Sequence, residues 1–277
     1  MTGRVAVIGD VGGHLDELRR ELRRLGAEET TGRLPPDLTV VQVGDLVHRG
    51  PDSEGVVALV DSYLRNQPEQ WRQLVGNHEA QYLREPAFEW PERVSAESAA
   101  TLVRWQRSGQ LLAAVALHGP GEDFLVTHAG LTVGFWRALG APTRVEETAA
   151  ALNALLREDD PALFRPGQML RGRRRDTGAG PLWAAPATEL VPGWVVTRLP
   201  YSQLHGHASI FDWQTRQYRV MNAVARRTAV DERAKHEATS LPGGRIIGID
   251  PGHGREPRRP WRAFELQTAD QPVGDPD

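Results

Sequence analysis

The chain contains no cysteine among its 277 residues. Disulfide bonds, thiolate nucleophiles and cysteine-ligated zinc are therefore excluded, and any metal ion must be held by oxygen atoms and imidazoles. Lysine is nearly absent too, because Lys235 is the only one, and it does not follow the glycine-rich turn of a phosphate-binding P-loop. No Gly-x-Ser-x-Gly fragment occurs, which argues against a serine hydrolase built on a nucleophile elbow.

Long apolar runs are missing as well. No segment approaches the roughly 20 apolar residues that span a bilayer, and the first residues lack the apolar length and cleavage site of a secretory signal. The net charge of −3 argues against general nucleic-acid binding, which normally requires a basic domain or stripe. We therefore expect a cytoplasmic protein with no membrane partner.

The composition, with 40% hydrophobic and 25% charged residues, is that of an ordinary globular protein. In the first half, strands predicted at residues 4–9 and 38–43 alternate with an amphipathic helix predicted at residues 14–25. This alternation is typical of a largely parallel sheet.

The second half of the chain is richer in candidate strands. One of these is predicted at residues 195–198, whereas residues 223–236 are interpreted as a polar helix or a mobile insertion. The whole pattern predicts an α/β fold in which two packed, mixed β-sheets are flanked by helices. We expect a single domain at residues 1–269, followed by a polar tail at residues 270–277.

Polar fragments follow the ends of the apolar runs, at the edge where open α/β sheets place their ligands. They combine small residues with acids, an amide and histidines. The fragments are Gly9-Asp10, Gly44-Asp45, Gly76-Asn77-His78-Glu79, His128-Ala129-Gly130 and Gly206-His207. By contrast, His118, His236 and His253 lack such a context and are interpreted as structural or surface residues.

The fragments supply the ligand types that a pair of divalent cations needs. Two ions held close together require a bridging carboxylate, further oxygen or nitrogen donors, and open positions for water and phosphate oxygens. Asp45 is the natural bridge, and Asp10 would complete one side of the pair. Asn77, His128 and His207 would complete the other side. Such a pair suits phosphoryl chemistry.

With these fragments in this order, the chain resembles the calcineurin-like metallophosphoesterases. Within that family it is most similar to the branch that contains Ser/Thr phosphoprotein phosphatases and bacterial diadenosine-tetraphosphatase-like enzymes. The resemblance covers residues 5 to about 252. It includes the longer fragment Gly44-Asp45-Leu46-Val47-His48-Arg49-Gly50-Pro51-Asp52.

The resemblance implies a role for each fragment. Asp10 and Asp45 would bind the first metal ion. The second metal ion would be held by Asp45, Asn77, His128 and His207. The resemblance also implies that His78 protonates the leaving oxygen, and that Arg49 binds the phosphate together with Asn77.

One family position is changed at Gly12, where the family carries a histidine that binds the first metal ion. Glycine has no side chain to offer, so the first site lacks a ligand. His14 is a candidate replacement, and the alternative is that it caps the helix or faces solvent. Without His14 the remaining oxygen ligands favour harder ions than zinc. We expect two divalent ions, with Mn²⁺ favoured over Fe, Zn, Mg²⁺ or Ca²⁺, and weak occupancy of the first site if His14 does not reach it.

A second family position is changed at His48, where the family carries the aspartate that orients the acid histidine. A carboxylate raises the pKa of a neighbouring histidine, whereas an imidazole beside two cations does not. His78 is then expected to be a weaker proton donor near neutral pH. Alternatively, His48 is itself a metal ligand or the acid.

The leading hypothesis is a metal-dependent phosphoesterase in which a metal-bound hydroxide attacks a phosphate ester. The alternative is a non-catalytic or regulatory phosphate- or nucleotide-binding protein on the same fold. Phosphoproteins, nucleotides and small phosphate esters all remain candidate substrates. Arg171, in an arginine-rich surface segment at residues 163–180, is a second candidate for phosphate binding, and a solvated basic loop is the alternative interpretation.

Overall fold

Two β-sheets pack face to face, with helices on their outer sides. The structure is a computed structural model that describes residues 3–172, 174–253 and 260–267. The tail expected at residues 270–277 lies outside the described residues. The predicted α/β architecture of two mixed sheets flanked by helices is confirmed.

The strands in chain order are β1 (Arg4–Ile8), β2 (Leu38–Gln42), β3 (Trp71–Leu74), β4 (Leu111–Leu112), β5 (Ala114–Gly119), β6 (Glu122–Thr127), β7 (Ser202–His205), β8 (Phe211–Asp212), β9 (Gln217–Tyr218), β10 (Thr228–Asp231), β11 (His236–Leu241), β12 (Gly244–Gly248) and β13 (Phe264–Gln267). The first sheet has the order β13-β1-β2-β3-β4, and the second has the order β10-β11-β12-β7-β6-β5. Strands β1 to β4 run parallel to one another, as do β6, β7 and β12. The edge strands β13, β10 and β5 run antiparallel to their neighbours, and β11 also runs antiparallel to β12.

The helices are α1 (Leu15–Leu25), α2 (Ser53–Asn66), α3 (Asn77–Leu83), α4 (Ala96–Arg107), α5 (Val133–Ala138), α6 (Val145–Arg157), α7 (Gln168–Arg171), α8 (Val191–Trp194) and α9 (Asn222–Ala225), with a π-helical turn at Pro186–Leu190. Helix α1 buries its leucines on one face and ends at Gly26, which has the left-handed φ of 104° expected of such a cap. The Asp52 side chain caps α2 by accepting from the backbone N–H of Gly55. No helix in the described ranges is long and apolar enough to cross a membrane.

The alternation of side chains along β1 explains how the layers are held together. Val5 and Val7 face the second sheet and pack with residues such as Phe124 and Val126 in the core between the sheets. The intervening residues, including Ile8, belong to the core beneath the outer helices. A strand buried on both faces is continuously apolar, as this one is.

The strand that precedes His128 lies in a different sheet from the strands that precede Asp10, Asp45 and Asn77. Strand β6, which precedes His128, pairs with β7 in the second sheet and not with the strands that precede Asp10, Asp45 and Asn77. The polar fragments therefore meet between the carboxyl ends of two sheets. The parallel pairing of β6 with β7 brings His128 close to His207, which lies after the end of β7.

Two local predictions are wrong. Residues 195–198 form no strand, because α8 ends there and Val196 is 89% exposed. Residues 223–236 are neither one helix nor an insertion: after the short helix α9, strand β10 turns back and pairs antiparallel with β11. The charged residues that suggested a polar helix form the exposed edge strand and its turn.

Candidate metal centre

The site is built from the first residues after five strands. Asp10 follows β1, Asp45 follows β2, and Asn77 begins α3 just after β3. His128 follows β6 and His207 follows β7. All five residues are buried, with exposed fractions between 0% and 6%. The sheet topology therefore brings together each ligand that the fragments predicted for the second metal ion, with Asp10 alongside.

Two motif glycines allow the loops after β2 and β3 to touch. A Cβ atom on Gly44 would lie 2.4 Å from the backbone nitrogen of Gly76, and Gly44 has a left-handed φ of 101°. A Cβ atom on Gly76 would lie 2.2 Å from the backbone nitrogen of Asp45. The close approach of the two backbones requires glycine at both positions.

The buried carboxylate of Glu79 holds these two loops in place. It accepts hydrogen bonds from the backbone N–H groups of Asp45, Leu46 and Gly76 at 2.8 to 2.9 Å. The sequence identified the fragment that contains Glu79 but gave this residue no role. Its spacing, three residues after Gly76 at the start of α3, is the capping spacing that could have revealed the contact.

Asn77 lies at the centre of the nitrogen and oxygen donors. Its Oδ1 atom is 2.8 Å from Nε2 of His128 and 2.8 Å from Nδ1 of His207. Oδ1 of Asp45 lies 3.4 Å from Nε2 of His128. Donor atoms of Asp45, His128 and His207 lie within 4.8 Å of one another, and among the described residues they form the one such group of three or more acidic or histidine side chains.

The hydrogen bonds of the two imidazoles indicate which nitrogens can bind a metal ion. Nδ1 of His128 lies 2.9 Å from the Val43 carbonyl oxygen, which can only accept, so Nδ1 carries a proton and Nε2 is the nitrogen available to a metal ion. Burial lowers the pKa of His207 well below its ordinary value, which favours the neutral ring that a metal ion requires. The side chains of Asn77, His128 and His207 thus present an amide oxygen and two ring nitrogens at one buried point. The donor set therefore fits a divalent metal ion.

Asp10 presents an oxygen toward the same region. Its Oδ1 atom accepts from the backbone N–H of His207 at 2.8 Å, whereas its buried Oδ2 has no hydrogen-bond partner within the described residues. Burial, followed by the nearby Asp250 and Asp45 carboxyls, raises the pKa of Asp10 well above its ordinary value. A cation beside Oδ2 would stabilise the carboxylate, so Asp10 also fits a metal ion.

Asp45 experiences the opposite balance. Burial acts to raise the pKa of its carboxyl, but the imidazoles of His78 and His128, when protonated, outweigh this and lower it below the ordinary value. Its Oδ1 atom also accepts from the backbone N–H of His78 at 2.9 Å. Asp45 is thus held as a carboxylate in the position expected of a bridge between two ions.

His78 and His48 form a pair beside the donors. Nδ1 of His78 lies 3.2 Å from Nδ1 of His48, and Nε2 of His78 lies 3.6 Å from Oδ2 of Asp45. Burial, more than any other contribution, lowers the pKa of His78. Both nitrogens of His48 are engaged, since its Nε2 lies 2.6 Å from the hydroxyl oxygen of Tyr82.

The two predicted phosphate-binding arginines are placed differently. Arg49 is exposed, donates to the carbonyl oxygen of His253 at 3.1 Å, and lies over the ring of Trp90. Arg171 lies on α7, where its guanidinium is 3.4 Å from a carboxylate oxygen of Asp176. Arg49 therefore borders the His48 and His78 pair, whereas Arg171 is engaged by an acid within its own segment.

A sequence profile of the calcineurin-like phosphoesterases matches residues 3–208. The chain belongs to the calcineurin-like phosphoesterase family. The family prediction made from the fragments is thereby confirmed.

Comparison with individual proteins supports the fold of this calcineurin-like phosphoesterase. Over 72 residues, or 26% of this chain, it is 36% identical to a zinc-dependent endopolyphosphatase of Saccharomyces cerevisiae, and the match spans 19% of the length of that protein. A cold-active protein-tyrosine phosphatase of a psychrophilic Shewanella species has a TM-score of 0.53 at 14% identity, covering 92% of this chain and 73% of the other. Another structure of a cold-active protein tyrosine phosphatase has a TM-score of 0.56 at 15% identity, covering 92% and 72%.

Gly12, where the sequence predicts a missing metal ligand, has little room for a side chain. A Cβ atom there would lie 3.3 Å from Cβ of His253, so the side chain of His253 fills the room beside the glycine. His14 is buried, and its ring centroid lies 4.5 Å from that of His253. Neither histidine belongs to the described group of donors around Asp45. The sequence assigned His253 no role, because it lies outside the five fragments.

Met169 is a contact of the site that no sequence pattern indicated. Its sulfur lies 3.1 Å from Nε2 of His207, so the thioether can accept the Nε2 proton and leave Nδ1 free to bind a metal ion. The segment around Met169 is anchored by the buried carboxylate of Glu189. This carboxylate accepts from the backbone N–H groups of Gln168, Asp176 and Ala185.

Proposed function

We propose that this chain is a metal-dependent phosphoesterase that hydrolyses phosphate esters. The observation that carries the proposal is the meeting of Asn77 Oδ1 with Nε2 of His128 and Nδ1 of His207, each at 2.8 Å, next to the carboxylate of Asp45. Such a group of buried donors is stable when a divalent cation lies among them. Family membership over residues 3–208 supports the same activity.

The donor groups divide between two ions. Asp45, Asn77, His128 and His207 would hold one ion, and Asp10 with Asp45 would hold the other. When bound, such ions supply activation of water and neutralisation of charge on the phosphoryl group. Mn²⁺ is favoured because a first position with few nitrogen ligands suits a harder ion than zinc.

The remaining roles belong to the chain's own side chains. Arg49 and Asn77 bind phosphate oxygens, and the exposed guanidinium of Arg49 is accessible to a substrate. His78 gives a proton to the leaving oxygen, because its Nε2 faces the donor group and lies 3.6 Å from Asp45. Arg171 would join a phosphate only if substrate competes with its contact to Asp176.

The proposal is tested by metal binding and hydrolysis measured on the same preparations. Metal-free protein should hydrolyse p-nitrophenyl phosphate only after Mn²⁺ is added, and Asp45→Asn should abolish both turnover and calorimetric Mn²⁺ binding. His128→Asn should weaken Mn²⁺ binding, whereas His118→Asn is the matched control, because His118 pairs with Asp123 and Glu146 outside the site. Full activity of Asp45→Asn would contradict the proposal.

The substrate class is addressed by a panel. The yeast relative is named as an endopolyphosphatase and the Shewanella structure as a protein-tyrosine phosphatase. Polyphosphate, phosphotyrosine and phosphoserine peptides, dinucleoside polyphosphates and small phosphate monoesters should therefore be compared at equal enzyme and Mn²⁺ concentrations. The ratio of kcat/KM values identifies the preferred class.

A second candidate function is a regulatory protein that binds phosphate or nucleotide without turnover. It is favoured by the lack of a side chain at Gly12, and by a donor group that includes Asp45 but not Asp10. The same preparations distinguish the two functions. Binding of one Mn²⁺ and of inorganic phosphate, with no hydrolysis of any ester in the panel, would support the regulatory protein.

A further inference from the structure

His48 lies between His78 and Tyr82, and both nitrogens of its ring are used. Its Nδ1 is 3.2 Å from Nδ1 of His78, and its Nε2 is 2.6 Å from the Tyr82 hydroxyl oxygen. The residue is 1% exposed and its ring stacks on Trp90, with 5.2 Å between centroids and 11° between planes. The imidazole ring, buried and held in this way, cannot flip without losing both polar contacts.

The carbonyl of Val47 decides which nitrogen of His78 carries the proton. Its oxygen lies 2.9 Å from Nδ1 of His78, and a carbonyl oxygen can only accept. Nδ1 is therefore the protonated nitrogen of the neutral His78 ring. The other nitrogen, Nε2, faces Asp45 and has no hydrogen-bond partner within the described residues.

This assignment fixes the proton on His48 in turn. Because Nδ1 of His78 carries a hydrogen, Nδ1 of His48 must act as an acceptor. The neutral His48 ring then carries its proton on Nε2 and donates it to the oxygen of Tyr82. Burial, followed by the neighbouring His78, lowers the pKa of His48 to about 4, which keeps the ring neutral near pH 7.

Helix α3 and the segment before α4 hold Tyr82 in place to receive this proton. Tyr82 follows His78 by four residues in α3, so the two side chains lie on one face of the helix. The Tyr82 hydroxyl oxygen also accepts from the backbone N–H of Val94 at 3.0 Å. The Val94 N–H uses one lone pair of this oxygen, and the second lone pair can accept from His48.

We propose that His48 and Tyr82 are positioning residues that together replace the carboxylate expected beside the acid histidine. A carboxylate can only accept a hydrogen bond, whereas Nδ1 of an imidazole can accept or donate. The Val47 carbonyl and Nδ1–H of His78 favour the tautomer in which Nδ1 of His48 accepts, and Tyr82 stabilises this tautomer by accepting from Nε2 of His48. His48 is thereby fixed as an acceptor, and His78 is held by its Nδ1–H with Nε2 directed at the donor group.

The inference rests on the proposed function, because it assigns His78 the role of acid. As the ester P–O bond breaks, the proton on Nε2 of the His78 imidazolium moves to the departing oxygen, which leaves as an alcohol. Water supplies the oxygen that forms the new bond to phosphorus. His78 is left as the neutral ring with its Nδ1–H still directed at Val47 and His48, and solvent returns the proton.

The proton positions can be measured without any activity. We expect ¹⁵N chemical shifts of ¹⁵N-histidine-labelled protein, loaded with diamagnetic Mg²⁺, to report a proton on Nε2 of His48 and on Nδ1 of His78. Resonances are assigned with His48→Gln and His78→Gln. Tyr82→Phe should give a mixed or reversed His48 tautomer. A proton on Nδ1 of His48 in the unaltered protein, or unchanged shifts in Tyr82→Phe, would overturn the proposal.

The kinetic test compares leaving groups. Tyr82→Phe should lower kcat for an alkyl phosphate about tenfold while KM changes less than about twofold. The loss should be smaller for p-nitrophenyl phosphate, because its acidic leaving group needs little protonation. The matched control is Tyr63→Phe, which removes another partly buried hydroxyl, bound to the Gly32 carbonyl at 2.7 Å. Equal losses for both substrates would mean that Tyr82 is merely structural.

A double-mutant cycle separates Tyr82 from general packing. In His48→Asp the new carboxylate accepts from His78 without a contact to Tyr82. Tyr82→Phe should therefore lower kcat for the alkyl phosphate by less than about twofold in that background. A tenfold loss of kcat in both backgrounds would overturn the proposal. If the unaltered protein hydrolyses no ester with any divalent ion, the proposed function fails, and the ¹⁵N measurement still decides the arrangement of His48 and Tyr82.

Discussion

Substitution of Gly12 tests how the first metal position is built. Gly12 has a left-handed φ of +51°, which costs a residue with a side chain about 1 kcal/mol. A Cβ atom there would also lie 3.3 Å from Cβ and 3.5 Å from Cδ2 of His253, and this crowding adds about 1 kcal/mol. Gly12→Ala should therefore lose about 2 kcal/mol of unfolding free energy, which lowers Tm by about 4–8 °C.

The two contributions can be separated with a glycine elsewhere in the chain. Gly109 has a left-handed φ of +73°, and nothing lies within 4 Å of a Cβ atom built there. Gly109→Ala should therefore lose only the backbone contribution, about 1 kcal/mol. The additional loss in Gly12→Ala should shrink when it is combined with His253→Ala and compared with His253→Ala alone.

Gly12→His has the same backbone strain but places an imidazole where the sequence predicts a missing metal ligand. In EDTA its Tm should fall as far as that of Gly12→Ala. With Mn²⁺ at about 100 times its Kd, a first ion held by the new ligand would add about 2.7 kcal/mol and offset the loss. Scanning calorimetry with and without Mn²⁺, and metal analysis after dialysis, measure both effects. If Gly12→His gains no more from Mn²⁺ than Gly12→Ala does, the reasoning is refuted.

Three further predictions concern the histidines. The general acid loses activity as pH rises through its pKa, and burial lowers the pKa of His78. A carboxylate beside His78 would raise that pKa, so His48→Asp should move the alkaline limb of the kcat profile to higher pH. An unchanged limb would mean that His48 does not affect proton transfer. Burial lowers the pKa of His205 from 6.5 to about 4, so the unfolded chain binds the extra proton in this window and stability falls as pH falls from 6.5 to about 4. Urea titrations in EDTA should show that the unfolding free energy falls by about 3 kcal/mol at most over this pH range. The same titrations of His205→Gln should not show this contribution. Met169→Leu keeps the side-chain volume but removes the sulfur atom that accepts from His207. Calorimetry should show Mn²⁺ affinity weakened by about tenfold or less, because Met169 is 53% exposed and water can replace the sulfur. Unchanged affinity would mean that the contact does not contribute to metal binding.

The ligand residues could be predicted because each follows a strand with a strong local signal. Asp10 and Asp45 come directly after apolar runs that are buried on both faces, and parallel strands end at one edge. His128 reaches the site from the other sheet, which the sequence did not indicate. Its strand pairs with β7, which begins about 75 residues later at Ser202, and nothing within the strand itself indicates so distant a partner.

Local composition also explains the two errors in the second half. Val195 and Val196 are β-branched and suggested a strand, but they follow Trp194, whose indole N–H donates to the Leu131 carbonyl oxygen and anchors the end of α8. Val196 then projects into solvent. Strand β10 is an edge strand with alternating half-buried and exposed residues, so its polar content disguised it. In both places tertiary contacts outweighed propensity.

Contacts between the histidines and their neighbours were harder to predict than the histidines themselves. Tyr82 lies four residues after His78, so a helix beginning at Asn77 would have placed the two on one face. The contact of Met169 with His207 had no comparable signal, because the segment around Met169 lacks apolar periodicity. Its position depends on Glu189, which lies outside α7. The Glu189 carboxylate accepts hydrogen bonds from three backbone N–H groups, one of which belongs to Gln168 at the start of α7.

His48 and Gly12, the two positions where the sequence predicts a departure from the family pattern, differ in what can compensate for them. At His48 the expected group is an acceptor that orients His78, and we propose that the Tyr82 hydroxyl, 2.6 Å from Nε2 of His48, allows His48 to take that role. At Gly12 the expected group is a ligand, and a ligand must be replaced by an atom at coordination distance. The room beside Gly12 is filled by His253, whose ring lies against that of His14. We therefore expect the proton donor to tolerate its substitution better than the first metal position does.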